Sequence, residues 1–462
     1  MIFAAIFRMI EHAARLHGLN RGRGFMNFFS TRNADVKASF REAVFHGLAP
    51  DGGLFHPEVE PDLRNDILAF DEESSFQDIA SRITARLLPE DFSESDAAAL
   101  CERAFPFSPA LKQISEDMYL LELFHGPSCA FKDFGASYLA NVMELFLEGD
   151  DGRAVILTAT SGDTGSAVAG AFYEKKNIDV VILYPSGRVS PLQEKQLTTH
   201  GGNISALEVQ GSFDDCQRMV KEAFLDPELA GRLRLTSANS INLGRLIPQT
   251  FYYIYGFSQL KHRVPAEVFF CVPSGNFGNL TAGLLAWRWG MPATGFVAAT
   301  NRNDVVPEYL DTGVYQPRPS VRTMSNAMDV GNPSNFERMQ QIFGSDLMDM
   351  RSMITGIAVS DEETARTMKH YYVDRGIFLD PHTAAGVYAS RQFLARSFPG
   401  VGRVITLGTA HPGKFGELVS EATGCAPDLP ERLSRVLDLP KKSTVVENSL
   451  EALRTYLLSH YT

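Results

Sequence analysis

One lysine stands in a sequence context where lysines seldom occur. Lys132 follows an apolar run, Met118 to Phe124, and a Gly-Pro turn, and two phenylalanines, Phe131 and Phe134, flank it. Loss of hydration beside aromatic rings lowers the pKa of an amine and frees its lone pair to attack a carbonyl carbon, as Schiff-base chemistry requires. The same pattern also fits a lysine whose stem covers apolar surface while its ammonium group reaches water.

Three loops could hold a ligand for such an amine. Thr158–Ser166, Pro273–Thr281 and Leu407–Phe415 each follow an apolar, strand-like run. Glycines let a backbone approach a ligand closely, and free N–H groups at a helix start favour a carboxylate or phosphate. The second loop has two glycines and no acidic residue, which suits a dianionic phosphate better than the first loop does. One glycine-rich turn is usually only a tight connection, whereas two such turns and a third strand-end loop in one α/β body fit a functional site and tight connections equally well.

Other catalytic motifs are absent or incomplete in the sequence. Gly408–Lys414 resembles a P-loop, but Phe415 stands where a hydroxyl must bind magnesium. No G-x-G-x-x-G motif follows a strand, and neither a G-x-S-x-G nor an H-E-x-x-H motif occurs. Cys129 is predicted to be a small buried thiol. The histidines lack metal-ligand spacing and are expected to be satisfied by hydrogen bonds: His125, His382 and His411. We predict no metal site.

The elements that carry these loops have the texture of an α/β protein. Short apolar runs alternate with amphipathic segments, which predicts parallel strands covered by helices on both faces. The runs are Ala154–Thr158, Val180–Tyr184, Ile204–Val209, Val268–Val272, Gly295–Ala299 and Val404–Leu407. A helical pattern begins at Lys132 and continues to Phe146. Ligands in such folds bind beyond the carboxyl ends of the strands, where the three loops lie.

The chain is expected to divide into four parts. Residues 1–25 are basic and are interpreted as an extension, either disordered or a non-native start, although an amphipathic targeting helix also fits. Residues 26–110 are mainly helical. Within them, Val36, Phe40, Val44 and Leu48 predict one buried stripe, and Phe76–Leu87 a second helix capped by Ser74 or Ser75. Residues 111–423 form two α/β halves around a cleft, with a break near 260–265, and 424–462 a linker and a helix.

Composition limits the kinds of partner. The 462 residues carry a net charge of −12, which argues against nucleic acid as a partner. Five cysteines without a C-x-x-C motif predict free thiols in a reducing compartment. No apolar run reaches the roughly 18 residues that span a bilayer. We therefore expect a cytoplasmic protein without a membrane partner.

Several long, ordered motifs are similar to those of the threonine synthase family in its longer, bacterial and fungal type. That family belongs to the tryptophan-synthase-β-like fold of pyridoxal-phosphate enzymes. The matching segments extend over nearly the whole chain from Phe28 onward: Phe28–Arg32, Gly47–Phe55, His125–Gly135, Ser161–Gly165, Ser237–Asn242, Ser274–Asn279, Met328–Asn335, Asp380–Ala384 and Thr409–Phe415. The resemblance implies two parallel-sheet α/β domains of that fold, with a mainly helical N-terminal domain.

The resemblance also implies pyridoxal 5'-phosphate as the cofactor. Lys132 would carry it as a Schiff base, and Thr409 would offer a hydroxyl to the pyridine nitrogen. The phosphate would rest on one glycine-rich loop, made of Ser274, Gly275, Asn276, Phe277, Gly278 and Asn279.

The implied reaction converts O-phospho-L-homoserine and water to L-threonine and phosphate, by γ-elimination and β-addition of water. The loop containing Ser161, Asp163 and Thr164 would meet the substrate carboxylate or the ring hydroxyl. The leaving phosphate needs donors, for which the candidates are Arg245, Lys414, Asn242 and Ser161. Arg245 could instead be a surface ion-pair partner.

Other functions remain open from the sequence. A related pyridoxal-phosphate lyase such as a serine/threonine dehydratase and a non-catalytic ligand-binding protein of the same fold are the alternatives, with a phosphotransferase built on Gly408–Lys414 a distant third. The expected oligomeric state is a monomer or a homodimer.

Overall fold

The strands of this computed structural model form three sheets, and the structure describes residues 26–149, 152–160, 162–261, 267–397 and 402–462. In chain order the strands are β1 (Phe28–Ser30), β2 (Lys37–Ala38), β3 (Phe55–Pro57), β4 (Ala110–Gln113), β5 (Met118–Glu122), β6 (Ala154–Ala159), β7 (Ile178–Pro185), β8 (Ile204–Val209), β9 (Arg234–Ser237), β10 (Glu267–Pro273), β11 (Gly295–Thr300), β12 (Ile354–Ala358), β13 (Gly402–Gly408) and β14 (Thr444–Val446).

Two of the sheets are parallel and carry the loops of interest. The larger has six strands in the order β12-β11-β10-β13-β5-β4, and only β4 runs antiparallel to its neighbour. The smaller has five parallel strands in the order β14-β8-β7-β6-β9. The third, an antiparallel sheet of β2-β1-β3, lies in the N-terminal part. The predicted α/β class with two parallel sheets is confirmed.

Helices connect these strands. Their bounds are Phe40–His46, Arg64–Ala69, Phe76–Leu87, Glu94–Ala104, Lys132–Phe146, Asp163–Phe172, Pro191–Thr198, Phe213–Leu225, Pro227–Arg232, Leu243–Leu246, Gln249–Ser258, Gly278–Arg288, Val305–Thr312, Phe336–Ile342, Leu347–Met353, Asp361–Arg375, Pro381–Ser397, Gly416–Thr423, Glu431–Ser434 and Leu450–Tyr461, with 3₁₀ turns at Asn326–Met328 and Pro412–Phe415. None of the helices in the described ranges is both long and apolar enough to cross a membrane.

The predicted strands and helices agree closely with these bounds. Strands β6 and β7 are buried along their whole length, because helices cover both faces of a parallel sheet. The helix predicted from Lys132 to Phe146 is present over that range. Ser75, one of the two predicted caps, accepts a hydrogen bond from the backbone of Asp78 at the start of its helix.

Two of the predicted helices begin later in the chain than their apolar spacing indicates. Val36 was predicted on the first helix, but that helix begins at Phe40 because Ser39 caps it in a reciprocal capping box with Glu42. In the C-terminal segment the helical spacing of Val446, Leu450, Leu453 and Leu457 predicts one helix, but Val446 lies in β14, which pairs with β8, and the helix begins at Leu450.

The two sheets do not divide the chain at a single point. Strand β5 precedes the smaller sheet in sequence but pairs with β13 of the larger one. The C-terminal segment returns as β14 to the smaller sheet, and Leu453 and Leu457 are fully buried against it. The predicted break near 260–265 falls largely on residues 262–266, which lie outside the described residues, and the predicted domain bounds stay predictions.

The N-terminal part packs on helices of the α/β part of the chain. The ring of Phe76 contacts those of Phe134, on the Lys132 helix, and Tyr255. A salt bridge of 2.6 Å joins Glu60 to Arg288. These contacts place the N-terminal helices behind the helix that begins at Lys132.

Candidate active site

Two loops at the carboxyl ends of neighbouring strands are tied together at the site. The Phe131 N–H donates to the Thr409 carbonyl at 2.9 Å, and the His411 N–H donates to the Cys129 carbonyl at 3.0 Å. Ala130 and Ala410 form an isolated β-bridge between these bonds. Because β5 and β13 are adjacent parallel strands, their exits meet at one edge, and the predicted residues Lys132 and Thr409 lie on the two joined segments.

Lys132 begins its helix as a largely buried amine. No hydrogen bond within the described residues engages its Nζ atom. Burial lowers the pKa of the Lys132 amine, the Asp163 carboxylate opposes that effect, and the cations of Lys414 and Arg245 add to it. The net result is an amine that gives up its proton more readily than an exposed lysine does.

Asp163 and Lys414 form a buried ion pair beside this amine. The Lys414 Nζ lies 2.8 Å from the Asp163 Oδ1, and both side chains are at least 95% buried. The Lys414 ammonium also donates to the Ser128 carbonyl at 2.7 Å, and the Gln193 amide donates to Asp163 at 2.9 Å. Burial alone would raise the pKa of Asp163, but Lys414 and Lys132 outweigh it, so the pKa is lowered and the carboxylate stays ionised.

The loop before Asp163 is held from inside by Thr160. The Thr160 hydroxyl accepts hydrogen bonds from the N–H groups of Gly162 and Gly165, at 3.0 and 2.9 Å. Gly162 has φ of 144°, and a Cβ there would lie 2.6 Å from the Gln193 amide, so both backbone and space require glycine. The Thr164 hydroxyl, partly exposed, makes no hydrogen bond within the described residues. Ser161 lies outside the described residues.

The glycine-rich loop Ser274–Asn279 is braced by its own side chains. The Ser274 hydroxyl donates to the Asn279 Oδ1 at 2.6 Å, and Asn276 donates to the Ser240 hydroxyl at 2.7 Å. Phe277 has φ of 60° and immediately precedes the helix that begins at Gly278. In the part of the chain that is described, the N–H groups of Gly275, Asn276 and Phe277 make no hydrogen bond. These donors are available to an anion.

The glycines of this loop serve the protein as well as any ligand. A Cβ on Gly275 would lie 2.6 Å from the Cα of Met328, in the neighbouring 3₁₀ turn. A Cβ on Gly278 would lie 3.3 Å from the side-chain amide of Asn335. Close approach of a ligand is the reason that the sequence predicts for these glycines, whereas the contact at Gly275 is with the chain's own backbone.

Thr409 carries a hydroxyl without a hydrogen-bond partner among the described residues. Its side chain is buried, and its N–H donates to the Thr383 hydroxyl at 3.2 Å.

His382, next to Thr383, is held by hydrogen bonds on both ring nitrogens. Its Nε2 accepts from the Ala327 N–H at 3.1 Å, so the proton lies on Nδ1, 2.8 Å from Asp380.

Arg245 is buried and lies against the helix that starts at Lys132. Its Nη1 donates to the Ala238 carbonyl, while its Nε is buried without a hydrogen-bond partner among the described residues. A Cβ on Gly135 would lie 2.8 Å from this Nε. The sequence left open a surface ion-pair role for Arg245. With 3% exposure it is not a surface residue.

The side-chain amide of Asn242 is already hydrogen-bonded to the protein backbone through both its nitrogen and its oxygen. Its amide donates to the carbonyls of Val44 and Ser237, both at 2.8 Å, and its Oδ1 accepts from the Gly244 N–H at 2.9 Å. It therefore caps the helix Leu243–Leu246 and ties it to the N-terminal part. The predicted substrate contact stays a prediction that these bonds do not favour.

The cysteine and the three histidines for which neither catalysis nor metal binding was predicted have structural roles. Cys129 is fully buried, and burial raises the pKa of its thiol to about 11. The three histidines are hydrogen-bonded as expected: His125 to Glu122, His382 to Asp380, and His411 to the Gly413 N–H. Within the described ranges no group of three or more potential metal ligands occurs.

Several residues around the site were not found from the sequence. Gln193 reaches Asp163 from another helix, and Ser240 with Asn335 supports the loop Ser274–Asn279. Arg338 is fully buried and donates to Asn335. Ser240 and Asn335 each belong to one of the matching motifs, which was the available signal; Gln193 and Arg338 belong to none of them.

Three family models match successive parts of the chain. The model described as "Threonine synthase N terminus" matches residues 27–105, the one described as "Pyridoxal-phosphate dependent enzyme" matches 102–409, and the one described as "Threonine synthase, C-terminal" matches 383–457. Together they cover the loops described above and the N-terminal part that packs on them.

Known relatives match almost end to end. A threonine synthase of Haemophilus influenzae is 43% identical over 435 residues, which is 94% of this chain and 100% of the relative. A crystal structure of pyridoxal-phosphate-bound threonine synthase from Brucella melitensis is 35% identical, with a TM-score of 0.88 over 94% of this chain and 99% of that one. The Escherichia coli threonine synthase structure is 40% identical, with a TM-score of 0.85 over 94% and 100%. The chain therefore belongs to the threonine synthase family of pyridoxal-phosphate-dependent enzymes.

Proposed function

We propose that this protein converts O-phospho-L-homoserine and water to L-threonine and phosphate, with pyridoxal 5'-phosphate as its cofactor. The single observation that carries this proposal is Lys132, whose amine has no hydrogen-bond partner among the described residues and is favoured in its neutral form by burial and by the neighbouring cations of Lys414 and Arg245. The loop Ser274–Asn279, in which the N–H groups of Gly275, Asn276 and Phe277 have no partner among the described residues, follows β10 at the same sheet edge, one strand beyond β13, in a chain that belongs to this family. The runner-up from the sequence, a dehydratase, has no observation here that favours it.

The residues present fit the cofactor. Three N–H groups at Gly275–Phe277 lack hydrogen-bond partners within the described part of the chain, as a phosphate site requires, and the following helix adds its positive N-terminal end. The Thr409 hydroxyl, also without a partner there, would face the pyridine nitrogen. Lys132 would bind the aldehyde carbon.

Pyridoxal phosphate, when bound, supplies a ring that takes up the electron pair left behind when a substrate C–H bond breaks. The protein's part is to move protons and to stabilise charge. A Lys132 amine with a lowered pKa can accept a proton from a substrate carbon and return it to a neighbouring one. Asp163, held ionised by Lys414, keeps a negative charge beside that amine and so favours its protonated form after transfer.

The leaving phosphate would be bound by fixed cations. The Arg245 Nε is buried without a partner among the described residues. Because a buried donor without an acceptor is costly, binding of an anion there would be favourable. Lys414 is already engaged by Asp163 and the Ser128 carbonyl, so it would act at short range by its charge. The hydroxyl of Thr164 and that of Ser161 are further candidates for the substrate carboxylate.

The proposal is tested by the spectrum and products of the purified protein. We expect a visible absorption band on addition of pyridoxal phosphate, a change of that band on addition of O-phospho-L-homoserine, and release of equal amounts of threonine and phosphate. Lys132→Ala should lose the band and reduce turnover by roughly a thousandfold or more. The matched control is Lys176→Ala, an exposed lysine, which should retain both.

Other outcomes would identify the alternatives. Ammonia and an oxo acid formed from serine or threonine, without phosphate release from phosphohomoserine, would indicate a dehydratase. A protein that never develops the band would be a non-catalytic member of the fold. Activity that requires magnesium would point to a phosphotransferase.

We further infer a cytoplasmic enzyme with a small-molecule substrate, without a nucleic-acid partner, and a monomer or homodimer in solution. The division into residues 26–110, two α/β halves and 424–462 is part of the same proposal. Light scattering of the purified protein and limited proteolysis between 258 and 268 test the assembly and the division.

A further inference from the structure

A buried arginine lies behind the glycine-rich loop. Arg338, on the helix Phe336–Ile342, is completely buried, and its donors reach three neutral oxygens. They are the carbonyl of Phe55 at 3.0 Å, the Asn335 Oδ1 at 2.7 Å and the carbonyl of Ile241 at 2.7 Å. Among the described residues no carboxylate forms a salt bridge with it.

Asn335 connects this arginine to the loop Ser274–Asn279. While its Oδ1 accepts from Arg338, its backbone N–H donates to the Asn276 carbonyl at 3.3 Å. The adjacent Ser334 N–H donates to the Asn276 Oδ1 at 2.6 Å. The Asn335 amide also lies 3.3 Å from the position of a Cβ on Gly278. Arg338 thus fixes the residue against which the loop is packed.

The charge of Arg338 is poorly compensated by the protein. Burial lowers the pKa of this guanidinium, and Glu337 is the carboxylate that offsets part of the effect. However, Glu337 is turned toward Arg32 and the Thr31 hydroxyl. A buried charge without a counter-charge is costly, even when neutral oxygens satisfy its hydrogen bonds. An anion bound at the N–H groups of Gly275, Asn276 and Phe277 would reduce that cost.

We propose that Arg338 is a positioning residue for the cofactor phosphate, which sets the glycine-rich loop through Asn335 and supplies a buried positive charge behind it. The inference rests on the proposed function and adds to it a residue that touches neither cofactor nor substrate. It predicts that Arg338 favours the phosphorylated aldehyde over the same aldehyde without its phosphate.

The test compares the affinities of pyridoxal 5'-phosphate and pyridoxal, read from their absorption bands. In Arg338→Met, the pyridoxal-phosphate affinity should fall on the order of tenfold to a hundredfold, because a charge-assisted interaction is lost. Pyridoxal affinity should change far less. Arg338→Lys, which keeps the charge but not the planar fork, should fall between the wild type and Arg338→Met.

Arg288→Met is the matched control. It removes a partly buried arginine from the helix that starts at Gly278, but its partner is Glu60 and not the loop. It should leave the ratio of the two affinities unchanged. If Arg338→Met folds poorly, the ratio in Arg338→Lys decides the question.

The outcomes separate the two proposals. An equal loss of both affinities in the Arg338 variants, or no loss, would overturn this inference while the proposed function stands. A wild-type protein that binds neither aldehyde would overturn the proposed function and this inference with it. Rescue of the ratio in Arg338→Lys above that in Arg338→Met would support the role of the charge.

Discussion

At the scale of single residues, the site depends on three charges arranged around one amine. Asp163 attracts the proton of Lys132, whereas Lys414 and Arg245 repel it. Lys414 therefore forms an ion pair with Asp163 and also lowers the pKa of Lys132. The pair Asp163–Lys414 is almost neutral as a unit, which leaves Lys132 to be governed mainly by its burial.

This arrangement predicts unequal costs for the two halves of the pair. Asp163→Asn leaves Lys414 buried without a counter-charge and should lower the free energy of unfolding by about 3 kcal/mol or more. Lys414→Met should cost less, since loss of the Lys414 charge favours the protonated form of Lys132, which then compensates Asp163. The double variant should cost clearly less than the sum of the two. Urea unfolding of the four cofactor-free proteins measures the coupling.

Additive costs in that cycle would show that the pair does not interact. Lys175 with Glu144, a salt bridge of 2.7 Å between partly exposed side chains, offers a control cycle. Its coupling should be smaller, because exposed pairs contribute only about 0.2–1 kcal/mol.

The sequence predicted the site residues that follow strands, but not the buried residues that support the site from other helices. Lys132 and Thr409 follow the adjacent parallel strands β5 and β13 of the larger sheet, whose carboxyl ends meet. Asp163 follows a recognisable strand of the smaller sheet, β6, and its carboxylate acts on Lys132 from there. Arg338 comes from a helix far along the chain with no local pattern that reveals its burial. Asn242 was predicted at the substrate, but its side chain is occupied by a helix cap at the Gly244 N–H and by two bonds to the carbonyls of Val44 and Ser237.

At the scale of elements, prediction depended on length and burial. The parallel strands β6 to β8 are long, apolar and covered on both faces, so hydrophobicity alone located them. Strands β2 and β14, of two and three residues, are too short to show a period. The partner of β14 is β8, which is distant in the chain, so no local pattern contains that pairing.

The glycine-rich loop allows a prediction at this scale. Gly275→Ala should be costly, because its Cβ would press within 2.6 Å of the Met328 backbone, which cannot move as a flexible side chain does. We expect a loss of about 1–3 kcal/mol in unfolding free energy and weaker pyridoxal-phosphate binding. Gly278→Ala meets only a side-chain amide at 3.3 Å and should cost less. Thermal unfolding and cofactor titration measure both.

Gly231→Ala serves as the control for these variants. It lies in the helix Pro227–Arg232 with open space around the added Cβ, so it should leave cofactor affinity unchanged and should not destabilise the fold. Equal effects of Gly275→Ala and Gly278→Ala would contradict the contact proposed at Met328.

At the scale of the whole molecule, strand β3 supplies one of the contacts between the N-terminal part and the rest, since its Phe55 carbonyl accepts a hydrogen bond from Arg338 at 3.0 Å. His56 of that strand is buried, and its Nδ1 has no hydrogen-bond partner in the described part of the chain. Burial lowers the pKa of His56 to about 3, and the nearby cations of Arg338 and Arg288 contribute. His56 therefore stays neutral in the folded protein while an unfolded chain takes up a proton near pH 6.5.

The sign of the resulting pH dependence follows from this difference. A group with a depressed pKa in the folded state contributes stability above its unfolded pKa, and that stability is lost as the pH falls. Between pH 7 and pH 5, the protonation of His56 in the unfolded chain should cost about 2 kcal/mol of unfolding free energy. The loss continues until the pH reaches the folded value near 3.

We therefore expect His56→Gln to flatten the acid side of the stability curve. Its unfolding free energy should fall about 2 kcal/mol less than that of the wild type between pH 7 and pH 5, whatever it loses at pH 7. Phe29→Leu is the matched control, since the Phe29 ring packs on His56 at 5.6 Å but does not titrate. It should lower stability equally at both pH values. If His56→Gln and the wild type lose stability in parallel, His56 takes up a proton in the folded protein as readily as in the unfolded chain. The positive charges of Arg338 and Arg288 would then have to be compensated at that strand by groups other than the ones described.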